Sequence, residues 1–153
     1  MPDPLAVAPI PLLRRARPED AGRISTLLEA LGYPCTAADA RVRLRALADD
    51  TAQQLIVADW HGDLLGMVAI DLMYYLPLGA ITCRITALSI SASARRQGIG
   101  RILLREAESI ARDAGAVRME LATASHREQA HAFYRACGYQ ETSLRFVKRL
   151  GTA

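Results

Sequence analysis

The chain has 153 residues, of which 51% are hydrophobic, 23% charged and 5% aromatic, a length and balance that suit one soluble domain spanning 1–153 around a single core. The net charge is only +3, and the 19 basic residues are scattered along the chain; this speaks against a nucleic-acid surface, which needs Lys and Arg gathered on one face. Plentiful Leu, Ile and Val exclude a disordered chain, no apolar run reaches the roughly 18 residues of a membrane span, and the proline-broken start carrying Asp3 makes a poor signal peptide.

In chain order, residues 10–16 read as a short strand. Pro18 suits a first helical position, with Glu19 and Asp20 in the turn where negative charge meets the positive helix end. Ile24, Leu27, Leu28 and Leu31 form the apolar stripe of that helix, and Gly32 stops it. Thr36 followed by Asp39 marks a second helix start, running to about Ala48. Two β-prone runs, QQLIVADW and DLLGMVAIDLMYY, are joined by His61-Gly62-Asp63 and predict a hairpin. Residues 81–90 predict another strand, and about 98–114 a helix closed by Gly115. Residues 117–123 read as a strand. Ser125 and Glu128 match a capping box for a helix whose apolar face is Ala130, Phe133, Tyr134 and Cys137, ending at Gly138. A last strand is expected over 140–148. The order β-α-α-β-β-β-α-β-α-β predicts an α/β chain of the α+β type, with a mixed, mostly antiparallel sheet and packed helices.

The three cysteines, Cys35, Cys83 and Cys137, are odd in number and far apart, which fits free thiols in a reducing cytoplasm. His126, His131 and Cys137 lack zinc-ligand spacing, so no metal site is expected.

The stretch that carries chemistry is LSISASARRQGIGRILLREAE, residues 88–108. A strand runs through small residues into Arg95-Arg96-Gln97-Gly98-Ile99-Gly100 and then an amphipathic helix. A helix start leaves backbone N–H groups unpaired, with the positive dipole end behind them. Glycines there let a phosphate approach the backbone, and Arg95, Arg96 and Arg101 can add charge-assisted bonds. The pattern is that of a pyrophosphate cradle. A P-loop is excluded because no lysine lies nearby, and a dinucleotide fingerprint because Leu103 replaces its third glycine. Read from spacing alone, the glycines could also serve a tight turn and nothing more.

Arg95-x-x-Gly98-x-Gly100, after a strand and before a helix, resembles the Q/R-x-x-G-x-G/A signature of the GNAT superfamily of N-acetyltransferases. Ala130-x-x-Phe133-Tyr134-x-x-x-Gly138-Tyr139 resembles that family's downstream helix. The resemblance implies a sheet of six or seven strands flanked by about four helices. It implies acetyl-CoA as co-substrate, with pantetheine along the backbone of Leu88, Ser89 and Ile90. The pyrophosphate would lie on Arg96, Gln97, Gly98, Ile99, Gly100 and Arg101, with Arg95 opening the motif. Tyr134 matches the tyrosine that protonates the leaving thiolate, and the motif match favours that role over a core aromatic on the apolar helix face. Glu120 matches a strand glutamate that some relatives use as a base through water; an ordinary ion-paired strand carboxylate is equally open. Thr86 stands where many relatives carry an acid. Arg127 replaces a common asparagine and either reaches a CoA phosphate or is solvated. Tyr74 and Tyr75 could line the acceptor mouth.

The implied activity is acetyl transfer to a primary amine of a small molecule or protein, by direct attack on the thioester. The alternative is an acyl-CoA-binding regulatory module without catalysis. No nucleic-acid or membrane partner is expected, and a homodimer is compatible with the resemblance.

Overall fold

The elements follow from local signals that the chain supplies in order. The computed structural model describes residues 9–123 and 128–152, and the chain divides into two compact units, Met1–Leu121 and Ala122–Ala153. The first unit contains β1 (Leu12–Arg15), α1 (Ala21–Ala30), α2 (Ala37–Leu47), β2 (Gln53–Trp60), β3 (Asp63–Tyr75), β4 (Ala80–Ile90), α3 (Ile99–Asp113) and β5 (Ala116–Leu121). The second contains α4 (Glu128–Ala136). Pro18–Asp20 forms a 3-10 turn instead of the first turn of α1. At α2 the expected start is seen in full: the Asp39 N–H donates to Thr36 Oγ1 and the Thr36 N–H to Asp39 Oδ2, both at 3.0 Å.

The five strands form one sheet in the order β1-β2-β3-β4-β5. Neighbours are antiparallel except β4 and β5, which run parallel because α3 carries the chain back to the same end. Side chains alternate between the faces of a strand. Leu55, Val57 and Met67 pack with Ala21, Ile24 and Leu27 of α1 and Ala40 and Leu44 of α2. Ile56, Val68, Ile70, Cys83 and Ile85 are buried on the opposite phase, and α3 contributes the buried Ile99, Leu103, Leu104 and Ala107. The Cys83 thiol is fully buried, and burial pushes its pKa up to about 11, with Asp71 adding to the shift. All three cysteines are free.

The strand expected over 140–148 does not form. Residues 139–150 hold neither strand nor helix, and Leu144, Phe146 and Leu150 are 84%, 91% and 94% exposed. The described sheet therefore has five strands, not six or seven. A β-prone run becomes a strand only where a neighbouring strand pairs its backbone and covers one face, and no described strand pairs with this one.

One ion network pins β1 to the turn regions beside it. The Arg14 guanidinium donates to both Asp20 oxygens at 2.8 and 2.9 Å and, through Nε, to Asp59 at 3.1 Å. The Arg17 N–H also donates to Asp20 at 2.7 Å, and the Gly62 N–H to Asp59 at 2.8 Å. Arg14 chiefly holds the Asp20 carboxyl below the usual range; the Gly62 N–H, and then Arg14, do so for Asp59. A depressed carboxyl stabilises the fold fully above its unfolded pKa, here 3.8, and the stabilisation is lost as pH falls through the lower folded value. Asp20→Asn is expected to cost about 1.5–3 kcal/mol at neutral pH, the scale of hydrogen bonds to a charged group. Urea unfolding should show the gap between wild type and variant narrowing below about pH 4. A gap of equal size at pH 7 and pH 3 would contradict this account.

Candidate active site

β4 changes partners along its length, and that change makes the site. Its first half pairs with both neighbours, and the ladder with β5 ends at Ile85 opposite Leu121. On the other side, Ala69 pairs with Ala87 and Ile70 with Ile85. Thr86 is therefore an extra residue in β4, a bulge, and bulges bend a strand and increase its twist. From Ala87 to Ile90, β4 is paired with β3 alone among the described residues.

The phase of that remaining ladder decides which groups are available. The Ser91 N–H donates to the Leu65 carbonyl at 2.9 Å, so the pairs 67–89 and 69–87 in the same register also face each other through hydrogen bonds. Ser89 thus turns its backbone toward β3. Its hydroxyl donates to the Leu27 carbonyl of α1 at 2.9 Å. Leu88 and Ile90 lie in the alternate pairs and present N–H and C=O to the opposite edge. Of the three residues expected to offer backbone contacts, two carry the outward groups and the third is anchored.

β4 leads through a 3-10 turn at Ala92–Ala94 into the start of α3. Arg96 and Gly98 both adopt left-handed backbone, with φ of 64° and 80°. Gly98 takes the N-cap position and no side chain caps the helix. The first intrahelical bond is donated by the Ile102 N–H to the Gly98 carbonyl at 3.1 Å. The N–H groups of Gly98, Ile99, Gly100 and Arg101 thus precede the ladder and point out of the helix end. A Cβ built on Gly98 meets nothing within 4 Å, so no described atom crowds that side of the helix start. Arg95, Arg96, Gln97 and Arg101 are exposed beside it, and none of the three arginines has a carboxylate partner among the described residues.

Glu120 sits on β5 opposite Arg84 of β4. Arg84 donates to its Oε1 at 2.7 Å through Nε, with NH2 at 2.6 Å from the same oxygen, and Arg118 donates to Oε2 at 3.1 Å. The Arg118 Nε donates to Thr82 Oγ1 at 3.1 Å, and its guanidinium carbon lies 4.5 Å from the centre of the Tyr75 ring. Arg84, Arg118 and Thr82 were not legible as site residues. They come together through strand register, 36 residues apart in sequence, and no local spacing signals it. Tyr75 joins them, while Tyr74 is 64% exposed.

In the second unit, α4 carries Tyr134 between two aromatics. Its ring meets Phe133 and Tyr139 edge-on, with centroids 5.3 and 5.9 Å away. Gly138, with φ of 92°, ends the helix: its N–H donates to the Arg135 carbonyl, and the Tyr139 N–H reaches back to the Tyr134 carbonyl, both at 3.0 Å. This helix ending folds Tyr139 back over Tyr134. No residue of α4 is fully buried, so its aromatic face packs less deeply than its apolar spacing predicts. Ser125, His126 and Arg127 lie outside the described residues. Among the described residues no cluster of His, Cys, Asp or Glu could hold a metal ion, and no helix is long and apolar enough to cross a membrane.

The chain is similar to known proteins. The family model described as the acetyltransferase (GNAT) family matches residues 24–139. The chain is 31% identical over 151 residues to the aminoalkylphosphonate N-acetyltransferase of Salmonella typhimurium, covering 94% of each protein. It is 32% identical over 142 residues to the aminoglycoside N(6')-acetyltransferase type 1 of Stenotrophomonas maltophilia, covering 89% of this chain and 90% of that one. Among solved structures, a transcriptional regulator from Bacillus halodurans matches with a TM-score of 0.84 at 23% identity, covering 92% of this chain and 99% of that one; this is a likeness of fold.

Proposed function

The chain belongs to the GNAT family of acetyltransferases and is an N-acetyltransferase, and from this we propose that it takes its acetyl group from acetyl-CoA and passes it to a primary amine by direct attack on the thioester. The observation that carries the proposal is the end of the β4–β5 ladder at Ile85, next to a helix start with open, uncapped N–H groups. The outward N–H and C=O groups of Leu88 and Ile90 suit an extended amide chain laid along the strand. The N–H groups of Gly98, Ile99, Gly100 and Arg101, with Arg95, Arg96 and Gln97 beside them, suit a diphosphate; Arg127 is assigned to the same phosphates.

Bound there, acetyl-CoA supplies the thioester that a neutral amine attacks. The Leu88 N–H is positioned in this reading to polarise the thioester carbonyl, a fixed donor aimed where charge develops. Glu120 takes the amine proton through water. Tyr134 gives its hydroxyl proton to the departing thiolate as the C–S bond breaks and the C–N bond forms. The double ion pair at Glu120 favours a second reading of that residue, a fixed carboxylate that aligns two arginines and takes no proton. Residues 1–153 act as one catalytic domain in this proposal, in a reducing cytoplasm that suits three free thiols. The acceptor is a small molecule or a protein amino group, and the named acceptors of the two curated relatives support the former.

Thiol release tests the proposal. Purified protein mixed with acetyl-CoA and a panel of primary amines is expected to release CoA in step with N-acetyl product. Tight acetyl-CoA binding with no thiol released by any amine would overturn it and leave a binding module.

A further inference from the structure

Resting on the acetyl-transfer reading, and on Glu120 as the fixed carboxylate that aligns two arginines and takes no proton, we propose that the row Arg84–Glu120–Arg118 selects a small acceptor amine bearing an anionic group at its other end: a carboxylate, phosphonate or phosphate. The row lies on one sheet face, since Thr82 and Arg84 of β4 are in register with Arg118 and Glu120 of β5. Both guanidinium groups are held in place. Glu120 spans them, Thr82, itself fully buried, fixes the Arg118 Nε, and the Tyr75 ring backs the Arg118 plane.

Held arginines lose less freedom on binding than loose ones. Each keeps donors to spare, because neither NH1 has an acceptor among the described residues and the two side chains are 49% and 40% exposed. Within the ion-paired row two guanidinium groups share one carboxylate. Asp71, opposite Arg84 on β3, is the other charged side chain in register, and no ion pair joins it to either arginine. A planar anion or a phosphonate can take the free forks of both arginines together.

The distance sets the size of the acceptor. Arg84 precedes Leu88 by four residues of strand, about 13 Å at ~3.3 Å per residue. The arginine side chain and a short acceptor share that interval. The amine then lies toward the open end of β4 and the anion toward the arginines.

The test compares 2-aminoethylphosphonate and β-alanine with propylamine, each with saturating acetyl-CoA and thiol detection. We expect kcat/KM for the two anionic amines to exceed that for propylamine at least tenfold, chiefly through KM. Arg118→Gln should reduce that ratio at least tenfold, and Arg84→Gln serves as the second variant should the first fail to fold. Preference for the phosphonate alone would assign a dianion, and equal preference any anion; both support the proposal. Equal kcat/KM for all three amines, or a variant that lowers all three in parallel, overturns it. If no amine releases CoA, the acetyl-transfer reading fails separately. Calorimetry with 2-aminoethylphosphonate then decides this one: binding to wild type that Arg118→Gln abolishes supports it, and no binding overturns it.

Discussion

Tyr134→Phe is expected to lower acetyl transfer ~10²–10⁴-fold, the worth of a well-placed general acid, with acetyl-CoA affinity little changed. The substitution deletes one oxygen and leaves the ring. The edge-on contacts with Phe133 and Tyr139 are made by the ring, so they survive. What is lost is the proton for the leaving thiolate, a need that arises only as the C–S bond breaks. A loss confined to the transition state lowers kcat and kcat/KM together. Steady-state kinetics, with a thermal melt beside them, check this. Normal turnover with a lowered melting temperature would make Tyr134 a packing residue and leave the proposed mechanism without an acid.

Gly98→Val is expected to weaken acetyl-CoA binding ~10–100-fold. Two effects act in the same direction. A φ of 80° lies in left-handed space, where a β-branched residue costs about 1–3 kcal/mol, so the helix start is pushed out of shape. The new side chain also projects from the helix start itself, where the proposed diphosphate would have to approach the backbone. Losing one charge-assisted bond at about 1.5–3 kcal/mol gives a change of that size. Calorimetry on a folded variant measures it, and unchanged affinity would remove the cradle from the α3 start.

Local order was legible because local residues cause it. Thr36 and Asp39 cap α2 whatever lies around them, His61-Gly62 turns the β2–β3 hairpin, and the glycines at 98 and 138 end up at the start of α3 and just past α4. The two motifs that carry the family resemblance are local in the same sense, each confined to one turn and one helix. Other features depended on which strands meet and in what phase. The exposed segment 140–148 has the composition of a strand and no described strand to pair with. The bulge at Thr86 and the outward turn of Leu88 and Ile90, with Ser89 facing inward, belong to a ladder whose register is a sum over many distant hydrogen bonds. A one-residue slip would exchange the inward and outward groups. The Arg84–Glu120–Arg118 row exists only because β4 and β5, separated in sequence by α3, lie side by side with residues 84 and 120 opposite each other. Capping, turn and periodic signals are short-range energies written in neighbouring residues, whereas register is fixed by burial and pairing across the whole sheet, and only the tertiary structure decides it.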